Sequence, residues 1–162
     1  MTVLEKLKSD KLRQLYIKKF VNTDSSYYID KIEKKTEFSD GLCYVGYLWD
    51  CIRNPKVITE TEMQQILKDK KNIFIMWDIH SCDRILIPNY WKYPKSSILF
   101  AKEWSTEMNQ ELPEDVYVFD NSFTWSVIYT HETDMNGKRY CIYLEEKAGD
   151  DSPIKRFSRG SK

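Results

Sequence analysis

The stretch VYVFDNSFTWSVIYTHETDMNGKRYCIYLEE, residues 116–146, decides the fold of this chain. It contains three runs rich in β-branched and aromatic residues, VYVF, TWSVIYTHET and KRYCIYLEE, separated by turn-forming residues. Asn136-Gly137 separates the last two runs, and this dipeptide is the strongest short-range hairpin signal, because both residues tolerate the positive φ of a type I′ turn. The stretch therefore predicts a three-stranded antiparallel meander.

Taking Asn136-Gly137 as the centre of the turn fixes the register of the hairpin, because side chains alternate between the two faces of a strand. This register places His131 on the apolar face of its strand and Glu132 on the opposite face. It also predicts an ion pair across the strands. The predicted cross-strand pairs are Asp134 with Arg139, Glu132 with Cys141, His131 with Ile142, and Tyr129 with Leu144.

Upstream of this stretch, the hydrophobic spacing changes along the chain. Apolar residues at helical spacing predict helices over 2–20, 27–38, 41–54 and 59–71, and a fifth over 96–113. The apolar run 72–80 predicts a central strand, and 84–94 predicts a second strand that Pro88 ends or confines to an edge. The predicted fold is α+β, with N-terminal helices on one face of a mainly antiparallel sheet. We expect one domain over 1–148, followed by a polar tail over 149–162.

Composition excludes several classes of function. The 162 residues carry 25 basic and 25 acidic side chains, so there is no overall positive field to hold a nucleic-acid backbone. We expect no signal peptide, and no apolar run approaches the length of a membrane span. The four cysteines lie far apart without a C-x-x-C pair, which favours free thiols in a cytoplasmic protein that needs no cofactor. They are Cys43, Cys51, Cys82 and Cys141.

Two histidines, His80 and His131, follow or end predicted strands, and acids stand beside both. Together with Asp78 and Glu132 they supply the side chains of a metal site or a general acid-base site. The segment HETDM lacks the H-E-x-x-H pattern, however, and the predicted strand separates His131 from Glu132. We therefore expect a structural role for His131, and keep a metal-binding protein or hydrolase as the alternative.

Aromatic residues provide the other functional signal, since they make up 14% of the chain. NYWKYP, residues 89–94, places three aromatic side chains around a lysine between two prolines, as in the contact surfaces of binding proteins. Acids between Glu103 and Glu146 would favour a basic partner. The predicted contact residues are Tyr90, Trp91, Tyr93, Glu107, Glu111, Glu114 and Asp115.

The segment DVYVFDNSFTWSVIYTHE, with LWDCI and MWDIHSCDR upstream, resembles a group of small uncharacterised bacterial cytosolic proteins. Their shared pattern is an Asp, an aromatic-Val-x-Asp strand, a Phe-x-Trp and a closing Thr-His-Glu. The general appearance of such proteins is similar to that of immunity proteins, which neutralise bacterial toxins. This resemblance implies a non-enzymatic protein-binding module whose partner is a cognate toxin, such as a nuclease.

Overall fold

A seven-stranded antiparallel sheet organises the chain, and its strand order is β1-β6-β5-β7-β8-β9-β4. The structure, a computed structural model, describes residues 1–38, 41–79 and 92–146. The strands are β1 (Thr2–Val3), β2 (Thr36–Phe38), β3 (Gly41–Cys43), β4 (Lys56–Ile58), β5 (Lys71–Trp77), β6 (Leu99–Glu103), β7 (Val116–Phe119), β8 (Trp125–Thr133) and β9 (Arg139–Glu145). The α-helices are α1 (Lys6–Phe20) and α2 (Glu60–Lys68), and shorter helical turns span Tyr28–Glu33, Leu48–Cys51 and Thr106–Gln110. β2 and β3 form a separate two-stranded sheet.

The central strand β5 is apolar on both faces because both faces of the sheet are covered. Phe74 and Met76 join the core on the α1 side, while Ile73, Ile75 and Trp77 join the core on the α2 side. The neighbouring strands β6 and β7 repeat this alternation, as the twofold period of a strand requires. The prediction of a central strand is confirmed.

The predicted α+β class and the C-terminal meander are confirmed. α1 and the turns Tyr28–Glu33 and Leu48–Cys51 pack on one face of the large sheet, and α2 covers part of the other. Thr59 caps α2 through a capping box in which its hydroxyl and the Glu62 carboxylate each accept a backbone N–H. The predicted tail lies outside the described residues and stays a prediction.

α1 does not pack against the sheet through the face that the spacing of its leucines predicts. The helix was predicted to begin at residue 2, but β1 pairs with β6, and the helix therefore begins later, at Lys6. Its inner face buries Ser9 and Arg13 as well as apolar residues, whereas Leu7 is 83% exposed. The Ser9 hydroxyl accepts a hydrogen bond from the Ile98 N–H, and Arg13 Nη1 donates to the Trp77 carbonyl at 2.9 Å, whereas the buried Nε and Nη2 of Arg13 have no hydrogen-bond partner among the described residues.

Three predicted helices are replaced by strands and short turns. Residues 96–113 form β6 and a 3₁₀ turn, because Leu99–Glu103 pairs with β5 on one side and β1 on the other. Residues 41–54 form β3 and the turn Leu48–Cys51, while 27–38 form a π-helical turn and β2. In each case backbone pairing outweighs the helical spacing of the apolar residues. The predicted strand 84–94 lies mostly outside the described residues.

The hairpin is confirmed, but its turn and register differ from the prediction. Of the two turn residues only Gly137 has positive φ, at 74°, and β8 joins β9 through residues 134–138. The Asp134 carboxylate accepts the Asn136 and Lys138 amides, and these bonds hold the pKa of Asp134 below its usual value. Asp134 is thus a turn residue, and the Arg139 guanidinium lies over the Tyr129 ring, 4.6 Å from its centroid. The predicted Asp134–Arg139 pairing was wrong.

Two valines provide a test of the double-faced core. Val118 in β7 is 1% exposed, and Val57 in the edge strand β4 is 63% exposed. We expect Val118→Ala to lower the free energy of unfolding by about 2 kcal/mol, because two buried methyl groups are lost and a cavity remains. Val57→Ala should cost less than about 1 kcal/mol. Urea denaturation followed by circular dichroism measures both, and equal losses would contradict this assignment of the core.

Candidate functional site

The Thr-His-Glu segment is a β-bulge near the tip of the hairpin. Between the two flanking residue pairs, β8 advances four residues while β9 advances only two. Thr130, His131 and Glu132 therefore lie opposite the single residue Tyr140, whose carbonyl accepts the Thr130 hydroxyl at 2.9 Å. The flanking pairs are Tyr129 with Cys141 and Thr133 with Arg139. Bulges redirect side chains and often lie beside functional sites.

The bulge turns His131 towards Asp115, which immediately precedes β7. The Asp115 carboxylate accepts the His131 backbone N–H at 2.9 Å, and both its oxygens lie 2.9 Å from Nδ1 of the ring. Asp115 is 3% exposed and has an unusual φ of 56°. One buried carboxylate thus satisfies the amide that the bulge frees from the ladder and also orients the imidazole. The predicted pairing of His131 with Ile142 was wrong, because the bulge shifts the register and Ile142 faces Ile128.

His131 completes a surface of three rings, which we call the aromatic patch: Tyr47, Trp49 and His131. Tyr47 and Trp49 are stacked, with ring centroids 5.4 Å apart and planes at 27°. The His131 ring lies 5.1 Å from the Tyr47 ring and 6.0 Å from the Trp49 ring. All three residues are partly exposed, and the His131 side chain retains 33% exposure.

A second buried carboxylate, Asp78, holds the backbone that carries Tyr47 and Trp49. Its Oδ1 accepts the Leu48 N–H at 3.1 Å, and its Oδ2 accepts the Tyr117 hydroxyl at 2.6 Å. The Tyr117 hydroxyl in turn accepts a hydrogen bond from the backbone N–H of Trp49 at 3.0 Å. The successive backbone amides of Leu48 and Trp49 therefore donate to one buried pair of side chains, Asp78 and Tyr117.

Tyr27 supports the same backbone from the other side. Its hydroxyl donates to Asp50 Oδ2 at 2.5 Å and accepts the Tyr47 N–H at 3.2 Å. Gly46 makes this approach feasible, since a Cβ at this position would lie 2.4 Å from the Tyr27 hydroxyl oxygen. Glycine at position 46 therefore allows the Tyr27 hydroxyl to come close enough to accept the Tyr47 backbone N–H.

Burial dominates the electrostatics beneath the aromatic patch. It raises the pKa of Asp78 to about 8, against hydrogen bonds from Tyr117 and Leu48 that lower it. The nearby Asp115 charge raises that pKa further, and the buried Arg13 lowers it. Burial also raises the pKa of Asp115, partly offset by the bonds from His131. Neutral Asp78 is favoured because a buried charge costs far more than a buried, hydrogen-bonded neutral acid.

The predicted metal set is divided by the structure. Asp78 is 1% exposed, with Tyr117 and Leu48 as hydrogen-bond partners, while His131 pairs with Asp115 and Glu132 is exposed. His80 lies outside the described residues. Within the described ranges, no group of three or more His, Cys, Asp or Glu side chains is placed to hold a metal ion.

The predicted contact residues are also dispersed. Tyr90 and Trp91 lie outside the described residues, and Tyr93 is half-buried on the α2 side with its ring centroid 5.6 Å from that of Trp77. Glu111 pairs with Lys92, at 3.2 Å. Glu107 is exposed, Glu114 is half-buried, and Asp115 is buried beneath His131.

Sequence reasoning missed Tyr47, Trp49, Tyr117 and Asp50 as members of the site. Three of them, Tyr47, Trp49 and Asp50, lie in the segment 41–54, whose helical spacing concealed a turn, and Tyr117 looked like an ordinary strand residue. The signal that could have found them is Gly46 followed by two aromatic residues in GYLWD. Asp120 and Trp125 are not part of this site. The Trp125 indole Nε1–H donates a hydrogen bond to Asp120 Oδ2 at 2.8 Å and so stabilises the connection between β7 and β8.

Comparisons of this chain with protein-family models, with curated proteins and with solved structures find no match. No helix among the described residues is both long enough and apolar enough to cross a membrane.

Asp78 provides a pH test of the buried network. The Asp78 carboxyl loses its proton near pH 4 in the unfolded chain and near pH 8 in the folded chain. The folded protein therefore has its full stability from protonated Asp78 below pH 4, and it loses this contribution to the free energy of unfolding as the pH rises to 8. Asp78→Asn cannot titrate. We expect the stability of this variant, relative to wild type, to rise by about 1.4 kcal/mol per unit between pH 5 and pH 7.

Urea unfolding at several pH values measures this difference, and Asp24→Asn, which alters an exposed acid, is the control. A pH-independent difference between Asp78→Asn and wild type would show that Asp78 is ionised in the folded protein throughout this range.

Proposed function

We propose that this protein is a non-enzymatic protein-binding module, and specifically a bacterial immunity protein that binds and neutralises a cognate toxin in the cytoplasm. The observation that carries the proposal is the aromatic patch: three partly exposed rings in mutual contact, fixed from below by buried carboxylates. Rigid Tyr and Trp side chains lose little entropy on binding and dominate the energetic centres of interfaces.

Preorganisation distinguishes the aromatic patch from scattered surface aromatics. The Tyr47, Leu48 and Trp49 amides all donate to buried or half-buried side chains, so the turn that presents the rings has a defined backbone. Free energy that would be spent on ordering a loose loop is available for binding. This is a reason for the chain to retain a buried Asp–Tyr pair beneath a surface turn.

Acids surround the aromatic patch, which suits a toxin with a basic active site. Asp50 is exposed beside Trp49 and Glu114 is half-buried beside Asp115. Both, like Asp78 and Asp115, raise the pKa of Tyr47, for which burial is the largest cause. An immunity protein for a nuclease would use such a surface to occupy the groove that holds phosphates.

The binding test compares two tyrosines of similar exposure on opposite faces of the sheet. The probe is the protein product of the gene adjacent to this one, co-expressed and then purified as a complex. We expect co-expression of this protein to restore the growth of cells that produce the adjacent gene product. We expect Tyr47→Ala or Trp49→Ala to weaken the complex by about 30-fold or more, as substitutions at the centre of an interface do. Tyr93→Ala, on the α2 side, is the matched control and should bind within about threefold of wild type.

Circular dichroism and urea unfolding confirm that each variant is folded. If the adjacent gene product neither impairs growth nor forms a complex, the immunity function is wrong. If Tyr93→Ala weakens the complex as much as Tyr47→Ala, the contact surface has been misplaced.

A small metal-binding protein or hydrolase is the second candidate function, using Asp78, His80, His131 and Glu132. One observation favours it: Asp115 holds Nδ1 of His131, leaving Nε2 as the atom for a metal or a proton. Titration with Zn²⁺ in a calorimeter tests it. Binding that is lost in both His131→Ala and His80→Ala would support a metal site, and the same weak heat in all three proteins would exclude it.

A further inference from the structure

We propose that the aromatic patch binds the guanidinium group of an arginine on the partner protein, with Asp50 and Glu114 as its counter-charges. This inference rests on the proposed protein-binding function and specifies the chemistry of its central contact. Three kinds of observation carry it: the charges around the rings, the stacking geometry, and the way in which Asp50 is held.

Acidic side chains cluster at the aromatic patch although the whole chain carries no net charge. Four carboxyl groups raise the pKa of the Tyr47 hydroxyl, in the order Asp115, Asp78, Asp50 and Glu114, after the larger effect of burial. Asp115 faces His131, and Asp78 faces Tyr117 and Leu48, so these two are committed to internal partners. Asp50 and Glu114 form no ion pair with any described lysine or arginine, and their charge is available to a ligand.

The rings suit a flat cation. Guanidinium stacks on aromatic faces and donates to carboxylates in its own plane, whereas ammonium acts as a hydrated point charge. The chain already uses such contacts elsewhere: the Arg139 guanidinium lies 4.6 Å from the Tyr129 ring centroid, and Lys70 Nζ lies 4.5 Å from that of Trp125. Tyr47 and Trp49 offer the same kind of surface with carboxylates beside it.

Asp50 is positioned for this contact by the same turn that carries Trp49. Its Oδ2 accepts the Tyr27 hydroxyl at 2.5 Å, which fixes the carboxylate while Oδ1 has no hydrogen-bond partner among the described residues. A carboxylate oriented in advance gains more from a guanidinium than one on a free side chain, because less rotational entropy is lost. An anionic ligand would meet like charges here, and a neutral apolar ligand would gain nothing from Asp50 or Glu114.

Titration with a small arginine compound tests the inference without the partner. The probes are Nα-acetyl-arginine amide, its citrulline analogue, which keeps the shape but lacks the charge, and Nα-acetyl-lysine amide. The readout is the NMR signal of the Trp49 indole N–H, assigned by its absence in Trp49→Phe. We expect a saturable shift with arginine in the millimolar range, a weaker response to lysine, and none to citrulline.

The paired variant Asp50→Asn/Glu114→Gln should weaken arginine binding at least fivefold, while Glu107→Gln, an exposed acid outside the aromatic patch, should leave it unchanged. Raising NaCl from 50 to 500 mM should also weaken it, because the counter-charges are partly exposed. No shift with arginine, or equal shifts with arginine and citrulline, would overturn the inference.

The outcome separates this inference from the proposed function. A complex with the adjacent gene product that depends on Tyr47 and Trp49, together with no response to arginine, refutes only the arginine contact. A clear response to arginine with no complex refutes the immunity function and leaves a site for guanidinium groups.

Discussion

The hydrogen bond between the Asp78 carboxyl and the Tyr117 hydroxyl, at 2.6 Å, is the interaction on which the site depends. Both groups are buried in the sheet, and an unpaired polar group there would cost about 1–3 kcal/mol or more. The Leu48 and Trp49 amides donate to these same two groups. Hydrogen bonds to buried side chains of the sheet therefore hold the backbone of the surface turn.

The Asp115–His131 contact applies the same logic to the hairpin. A bulge with three residues opposite one leaves backbone amides without ladder partners, which would be costly near the sheet interior. Asp115 accepts one of these amides and the ring nitrogen, while Thr130 bonds across to Tyr140. Asp115 itself adopts positive φ, a conformation that costs a non-glycine residue on the order of 1 kcal/mol. Asn54, Asn72 and Phe123 also adopt positive φ, so Asp115 is distinguished by the contact of its carboxylate with both the amide and the ring of His131.

The sequence predicted what periodicity controls and missed what long-range contacts control. The double-faced apolar run at 72–80 predicted the central strand, and the helical spacing over 59–71 predicted the helix that the structure shows as α2, because both signals are local. Residues 96–113 have apolar side chains at helical spacing, yet they form β6, whose pairing with β1 and β5 involves residues far apart in sequence. The turn at Leu48–Cys51 was missed for the same reason, since its amides find partners in β7 and just after β5.

The Thr-His-Glu segment is the instructive intermediate case. Asn136-Gly137 predicted the hairpin correctly, but strict alternation from that turn assigned His131 to the wrong environment. Asp115, sixteen residues earlier and outside the hairpin, accepts the His131 backbone N–H within the bulge that redirects the ring. Local sequence patterns could therefore not predict the contact between Asp115 and His131, although both residues lie in the segment DVYVFDNSFTWSVIYTHE.

Local charge at the aromatic patch follows from how the ion pairs are distributed. The acids Glu103, Glu111 and Glu146 were predicted to form an acidic face, but each lies beside a lysine: Lys71, Lys92 and Lys19. These pairs are exposed and contribute little stability, yet they cancel the field around them. Asp50 and Glu114 form no ion pair with a lysine or arginine in the described part of the chain, and both raise the pKa of the Tyr47 hydroxyl after the larger effect of burial. Acids beside aromatic faces suit a cation better than an anion, because the carboxylates and the ring faces both attract positive charge.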